Sequence, residues 1–93
     1  MIDKNIIAQT IELCGFENES TVCIEECAEL IQAISKEKRG IHDMIHLSEE
    51  IADVLICVEM IKQIYGIKDK DVDAWIYTKQ KRMVDRIKNG NAR

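Results

Sequence analysis

The sequence predicts an all-α protein, an antiparallel four-helix bundle that assembles as an oligomer, and three observations carry that expectation. Proline is absent and glycine numbers only 4 among 93 residues. Aromatic residues, which fill sheets, make up 4% of the chain. Apolar residues recur at helical spacing in four separate stretches. A hydrophobic content of 46% with 32% charged residues is that of a folded globular chain. At this length one domain, residues 1–93, is expected, with no low-complexity segment and no internal repeat. So small a chain commonly needs a bound ion or a partner copy to complete its stability.

Helix one is marked by Ile2, Ile6, Ile7, Ile11 and Cys14, with Gly15 as a left-handed stop. A polar stretch, Glu17-Asn18-Glu19-Ser20, follows, in which Asn18 or Ser20 is expected to cap a second helix from Val22 to Ser35. Helix two should fray near Lys36 to Gly40. The segment Ile41 to Ser48 holds both histidines and begins as a loop capped by Asp43. Helix three, the most apolar, is expected from about Leu47 to Tyr65 before Gly66. Acidic capping candidates in Lys68-Asp69-Lys70-Asp71 lead into helix four, from about Asp71 to Lys88, ended by Asn89-Gly90-Asn91.

With 13 basic and 17 acidic side chains the net charge is -4, which argues against a broad phosphate-attracting surface and so against nucleic-acid binding. The amino-terminal MIDKNIIAQTIELCG has neither the apolar core nor the cleavage site of a signal peptide, and no apolar run reaches membrane-spanning length. Cys14, Cys23, Cys27 and Cys57 contain no CxxC pair and are expected to be reduced thiols in a cytoplasmic protein. Cys23 and Cys27 are read as small core residues.

Polar residues in apolar places single out the chemistry. On a helical wheel the polar residues Ser48, Glu49, Glu59, Lys62 and Gln63 of helix three gather in an arc of roughly 140°. Glu50 falls outside it, between Cys57 and Ile61, and Asp53 falls between Met60 and Ile64. A carboxylate pointing where a core side chain belongs needs a cation, a metal, a hydrogen-bond donor or a proton. On helix two Glu26 lies at the edge of an apolar arc centred on Cys23, Cys27, Leu30 and Ile34, with Glu29 nearly one turn along and Glu25 further round. Taken alone, Glu25, Glu26 and Glu29 are a solvated helical edge. Packed antiparallel, however, the two i,i+3 pairs, Glu26 with Glu29 and Glu50 with Asp53, bring four hard oxygen donors together. Such a set selects Mg²⁺, with Mn²⁺ as substitute.

Helix four carries the complementary anomaly. Val72, Trp75, Ile76, Met83 and Ile87 form its apolar face, yet Lys79 and Arg86 project within that arc and Arg82 borders it. These side chains either snorkel and close salt bridges to Glu50 and Asp53, or clamp phosphate.

Glu25-Glu26-Cys27-Ala28-Glu29 reads as EExxE and Glu50-Ile51-Ala52-Asp53 as ExxD, in order, followed by Lys79-x-x-Arg82-x-x-x-Arg86. From about Thr21 to Arg86 the chain resembles the MazG family of all-α nucleoside triphosphate pyrophosphohydrolases, in its short single-domain form. That resemblance implies Mg²⁺-dependent hydrolysis of a nucleoside or deoxynucleoside triphosphate between the α and β phosphates, giving the monophosphate and pyrophosphate. It implies metal ligands at Glu26, Glu29, Glu50 and Asp53, a role for Glu25 in orienting ligands or activating water, and phosphate contacts at Lys79, Arg86 and, more weakly, Arg82. It also implies a homodimer or dimer of dimers. The base is expected to meet residues of helix one and the loop before helix two, namely Asn5, Gln9, Phe16 and Asn18.

A di-iron carboxylate bundle is disfavoured because it requires Glu-x-x-His on two helices, which does not occur here; Asp43-x-x-His46 is the nearest approach. His42 and His46 are expected to be surface residues in or near a loop. The non-enzymatic alternative is a catalytically silent helical oligomerisation or partner-binding module of the same fold, against which the presence of all four expected ligands counts.

Overall fold

A computed structural model describes residues 1–90 of the chain; Asn91, part of the stop expected for helix four, lies outside the described residues. Four α-helices follow one another, α1 (Lys4–Cys14), α2 (Phe16–Lys38), α3 (Met44–Tyr65) and α4 (Asp69–Asn89), and there is no strand among the described residues.

Asp3 starts α1, its carboxylate accepting from the backbone N–H groups of Asn5 and Ile6. The junction with α2 is a single residue. Gly15 donates its N–H to Ile11 O at 2.8 Å to close α1, while its own carbonyl accepts from Glu19 N to open α2. Its φ of 93° and ψ of 152° lie where glycine alone is at ease, and this lets the chain turn without a loop. The polar stretch at residues 17–20 is therefore helix rather than linker. Asn18 and Ser20 do not cap: Asn18 Nδ2 donates to Cys14 O at 2.8 Å, and the Ser20 hydroxyl meets that of Tyr65 at 2.9 Å.

The α2–α3 connection is held by Glu37, whose carboxylate accepts from Asp43 N at 2.7 Å and pairs with His42 Nδ1 at 2.9 Å. Asp43 caps α3 by accepting from His46 N, so α3 begins about three residues earlier than its apolar pattern predicts. The contacts Ser20 with Tyr65, Cys23 Sγ with Cys57 O, and Glu26 with Asp53 run in opposite directions along the two helices, which makes α2 and α3 an antiparallel hairpin. α1 folds back onto it, and Ile7 and Ile11 join Cys23, Cys57 and Met60 in the core, flanked by Ile61 and Ile64. Cys27, expected inside, is exposed.

The fourth helix departs from the expected bundle. α4 packs along none of the other three helices, and none of its residues is buried. Gly66, left-handed at φ 67°, ends α3, and Asp69 at the root of α4 is tied to Lys4 at 2.7 Å and Lys62 at 2.8 Å. These ties hold the root of α4 at the end of α3 where α1 already lies, as the bond from Gln63 Nε2 to Lys4 O shows. The chain is a three-helix core with a projecting arm. Its radius of gyration is 16.3 Å, against about 12 Å for a compact chain of this length. It exposes 7445 Å² of surface, against about 5,500 Å² expected for its mass.

Candidate functional site

The antiparallel hairpin brings Glu26 of α2 to Glu50 and Asp53 of α3, with one carboxylate oxygen of each within 4.8 Å of the others. The spacing accounts for this: residues three apart on α3 share a face, and that face is the one α2 covers. Glu50 is 3% exposed and Glu26 and Asp53 are half-buried. Glu29 is exposed at the edge, but its charge acts on both Glu26 and Glu50.

Among the described residues, no lysine or arginine joins the cluster. Burial, then a hydrogen bond with Asp53, then the charges of Asp53, Glu29 and Glu50 push the Glu26 carboxyl from the usual 4.5 up to about 7. Glu50 is raised by burial first and by the Glu29 charge next, with His46 acting in the opposite direction. Two oxygens, Glu26 Oε2 and Glu50 Oε2, are buried with no hydrogen-bond partner. Orphaned buried carboxylate oxygens are costly, and a divalent cation is the group that would satisfy several at once. With carboxylate oxygens as donors, the set suits a hard ion such as Mg²⁺ or Mn²⁺.

Glu25 is exposed and stands outside this group, on the solvent side of α2. The basic residues of α4 are not brought to the acids, because α4 leaves the hairpin. Lys79, Arg82 and Arg86 instead line, with Met83, a shallow surface groove of about 140 Å³ on α4 itself. The salt bridges from helix four to Glu50 and Asp53 that the sequence allowed do not form. Trp75, Ile76, Met83 and Ile87, the apolar face of α4, are exposed.

The expected base contacts do not converge either. Asn5 and Gln9 are exposed on α1, Phe16 is 60% exposed, and Asn18 is engaged with the end of α1. The apolar grooves beside the hairpin have other walls. One of about 500 Å³ runs over Cys23, Cys27, Ile31 and Ile61, and one of about 620 Å³ runs over Ile6, Thr10, Leu55 and Ile56. Burial pushes the Cys57 thiol up to about 12, which keeps that residue an inert core thiol.

Two residues outside the expected ligand set flank the acids. His46 and Glu49 join Glu50 in a second group whose ligand atoms also lie within 4.8 Å of one another. His42 stays in the loop, but His46 is half-buried in the first turn of α3. The signal was the i,i+4 spacing of His46 and Glu50, which has meaning only once the helix is seen to begin at Met44.

A family model described as the MazG nucleotide pyrophosphohydrolase domain matches residues 15–88, spanning α2, α3 and nearly all of α4. No curated protein and no solved structure matches the chain. No helix among the described residues is long and apolar enough to cross a membrane.

Proposed function

The chain belongs to the MazG nucleotide pyrophosphohydrolase family, and from that premise we propose that it is a divalent-metal-dependent hydrolase that cleaves a nucleoside or deoxynucleoside triphosphate between its α and β phosphates, releasing the monophosphate and pyrophosphate in a cytoplasmic, nucleotide-housekeeping role. The observation that carries this is the Glu26, Glu50 and Asp53 cluster with its two orphaned buried oxygens.

Glu26, Glu29, Glu50 and Asp53 would hold Mg²⁺, or Mn²⁺ in its place, and the bound ion supplies the Lewis acidity that phosphoanhydride cleavage needs. The hairpin brings Glu26, Glu50 and Asp53 together, which supports a site needing little reorganisation at the moment of reaction. Glu26, whose carboxyl is raised to about 7 by burial and then by Asp53, would serve as a ligand in its deprotonated form. Glu25, exposed beside the cluster, is suited to accept a proton from an attacking water or to orient a ligand.

Lys79, Arg82 and Arg86 act on the phosphates, and since α4 does not reach the acids of its own protomer, they do so from an α4 packed against a second copy in a homodimer or dimer of dimers. The unpartnered apolar face of α4 and the surplus of exposed surface support that assembly. Asn5, Gln9, Phe16 and Asn18, at the α1 and α2 end, remain the proposed base contacts.

The test is pyrophosphate release from a panel of canonical and modified nucleoside triphosphates with Mg²⁺, with Mn²⁺ and with EDTA, beside Glu50→Gln. Release that needs metal, yields the matching monophosphate and disappears in the variant is the expected result. A folded, metal-binding protein inactive across the panel would overturn the enzymatic assignment and favour the silent partner-binding module.

A further inference from the structure

α3 carries a second set of donors beside the acidic cluster. An imidazole nitrogen of His46, a Glu49 carboxylate oxygen and a Glu50 oxygen lie within 4.8 Å of one another at the amino-terminal end of the helix. The Asp43 cap and the Glu37 clamp on the preceding loop set where that end begins, and hence which way His46 faces. Residues four apart on a helix meet on one face, which places the imidazole over Glu50.

The two groups do not satisfy each other. His46 Nδ1 stands 3.8 Å from Glu50 Oε1, too far for a hydrogen bond. Glu50 is 3% exposed, and its other oxygen has no partner. The His46 side chain is 42% exposed, so the space between them opens to solvent. Glu50 is shared with the Glu26 and Asp53 group, and a carboxylate with two oxygens can serve an ion on either side.

We propose that His46 and Glu49, with Glu50 as the shared carboxylate, form a second divalent-cation position next to the all-oxygen one, and that its imidazole nitrogen makes this position select a transition-metal ion such as Mn²⁺, Co²⁺ or Zn²⁺ over Mg²⁺. The selectivity follows from ligand type. Mg²⁺ favours oxygen and keeps its waters, whereas imidazole raises affinity for first-row transition ions. The chain would then hold a hard ion at Glu26, Glu50 and Asp53 and a softer one at the His46 shoulder. The proposal rests on the metal-binding part of the function proposed above, but not on turnover.

The experiment titrates the full-length protein with Co²⁺ and, separately, Mg²⁺ by calorimetry, and follows Co²⁺ by its visible absorption. Wild type should take up two Co²⁺ per chain, one with the spectrum of a nitrogen-ligated ion. His46→Gln should lose that spectrum and weaken the second equivalent by at least about tenfold, the scale on which even outer partners of a metal act. Mg²⁺ binding should not change. Glu49→Gln should weaken the same equivalent, while Glu26→Gln should weaken the other and leave the nitrogen signature, with thermal melts confirming that each variant is folded. A single Co²⁺ indifferent to His46→Gln overturns the second position alone. Uptake of no ion by wild type overturns the acidic metal site as well.

Discussion

The two ends of α3 both carry buried acid, and they treat it in opposite ways. Near its start, Glu50 and Asp53 face Glu26 with no lysine or arginine beside them; burial and then Asp53 push the Glu26 carboxyl up, and burial and then the Glu29 charge push up that of Glu50. Near its end, Glu59 is just as deeply buried at 6% exposure, yet its carboxyl is held below the usual range by Gln63 first and by Lys62 after burial is overcome. Gln63 Nε2 donates to Glu59 at 2.9 Å, and Lys62 Nζ reaches Glu59 at 3.2 Å and Asp69 at 2.8 Å. The difference teaches that burial of a carboxylate is not itself a sign of function. A compensated one is structure; one left orphaned among others is a place waiting for a cation.

The largest expected effect that separates the two ends comes from neutralising an acid in each. Glu50→Gln should lower metal-dependent pyrophosphate release by about 100-fold or more, while the metal-free protein melts no lower than wild type, because a repelling charge has been removed. Asp53→Asn should behave alike. Glu59→Ala should do the reverse, leaving activity per folded molecule near wild type but costing about 1–3 kcal/mol of stability through the broken buried network. Paired activity and melting measurements check both. A lower melting temperature for metal-free Glu50→Gln and Asp53→Asn would erase the distinction.

This contrast was legible in the sequence at one end only. Glu50 and Asp53 interrupt an apolar arc, and that interruption is visible on a wheel. Glu59 lies in the polar arc and reads as solvated; it is buried because α1 folds back over it and the root of α4 closes beside it, a tertiary event that periodicity along α3 does not encode. The extents of the helices were legible where apolar spacing sets them and less so at their starts. There Gly15 serves two helices at once, and the Asp43 cap draws Met44 to His46 into α3, which hid the His46 and Glu50 pair. The apolar face of α4 was legible as a pattern along the helix. That pattern could not announce that the chain's own hairpin does not cover it.

Acidity should sharpen the comparison with a smaller effect. Glu26 has a folded-state value of about 7 against an ordinary 4.5, so between those limits the folded protein binds more protons than the unfolded chain. Stability of the metal-free protein is therefore greatest at the acid side of that window and declines as pH rises through about 7. Urea midpoints in EDTA at pH 5.5 and pH 8 should show the lower value at pH 8, with Mn²⁺ restoring it there and Glu26→Gln flattening the slope. A metal-free midpoint that rises with pH across this range would contradict the uncompensated cluster.

The smallest effect belongs to the outermost member of the compensated end. Asp69 is held at about 2 by its hydrogen bonds to Lys4 and then Lys62, so its contribution is present above its ordinary 3.8 and is lost only as pH falls from there towards 2. The side chains of Asp69 and Lys4 are both more than half exposed, where ion pairs contribute little and are screened by salt. Asp69→Asn should thus shift the melting temperature at pH 7 by no more than ~2–3 °C, and by less in high salt. Its informative consequence lies elsewhere. Asp69 is the residue that ties the root of α4 to α1 and α3, so freeing it loosens the direction of the arm that carries Lys79, Arg82 and Arg86. A KM for triphosphate that rises in Asp69→Asn while kcat and metal affinity hold would mean that the compensated end aims the cations which the uncompensated end lacks. An unchanged KM would mean that packing of α4 against a second copy sets their position by itself.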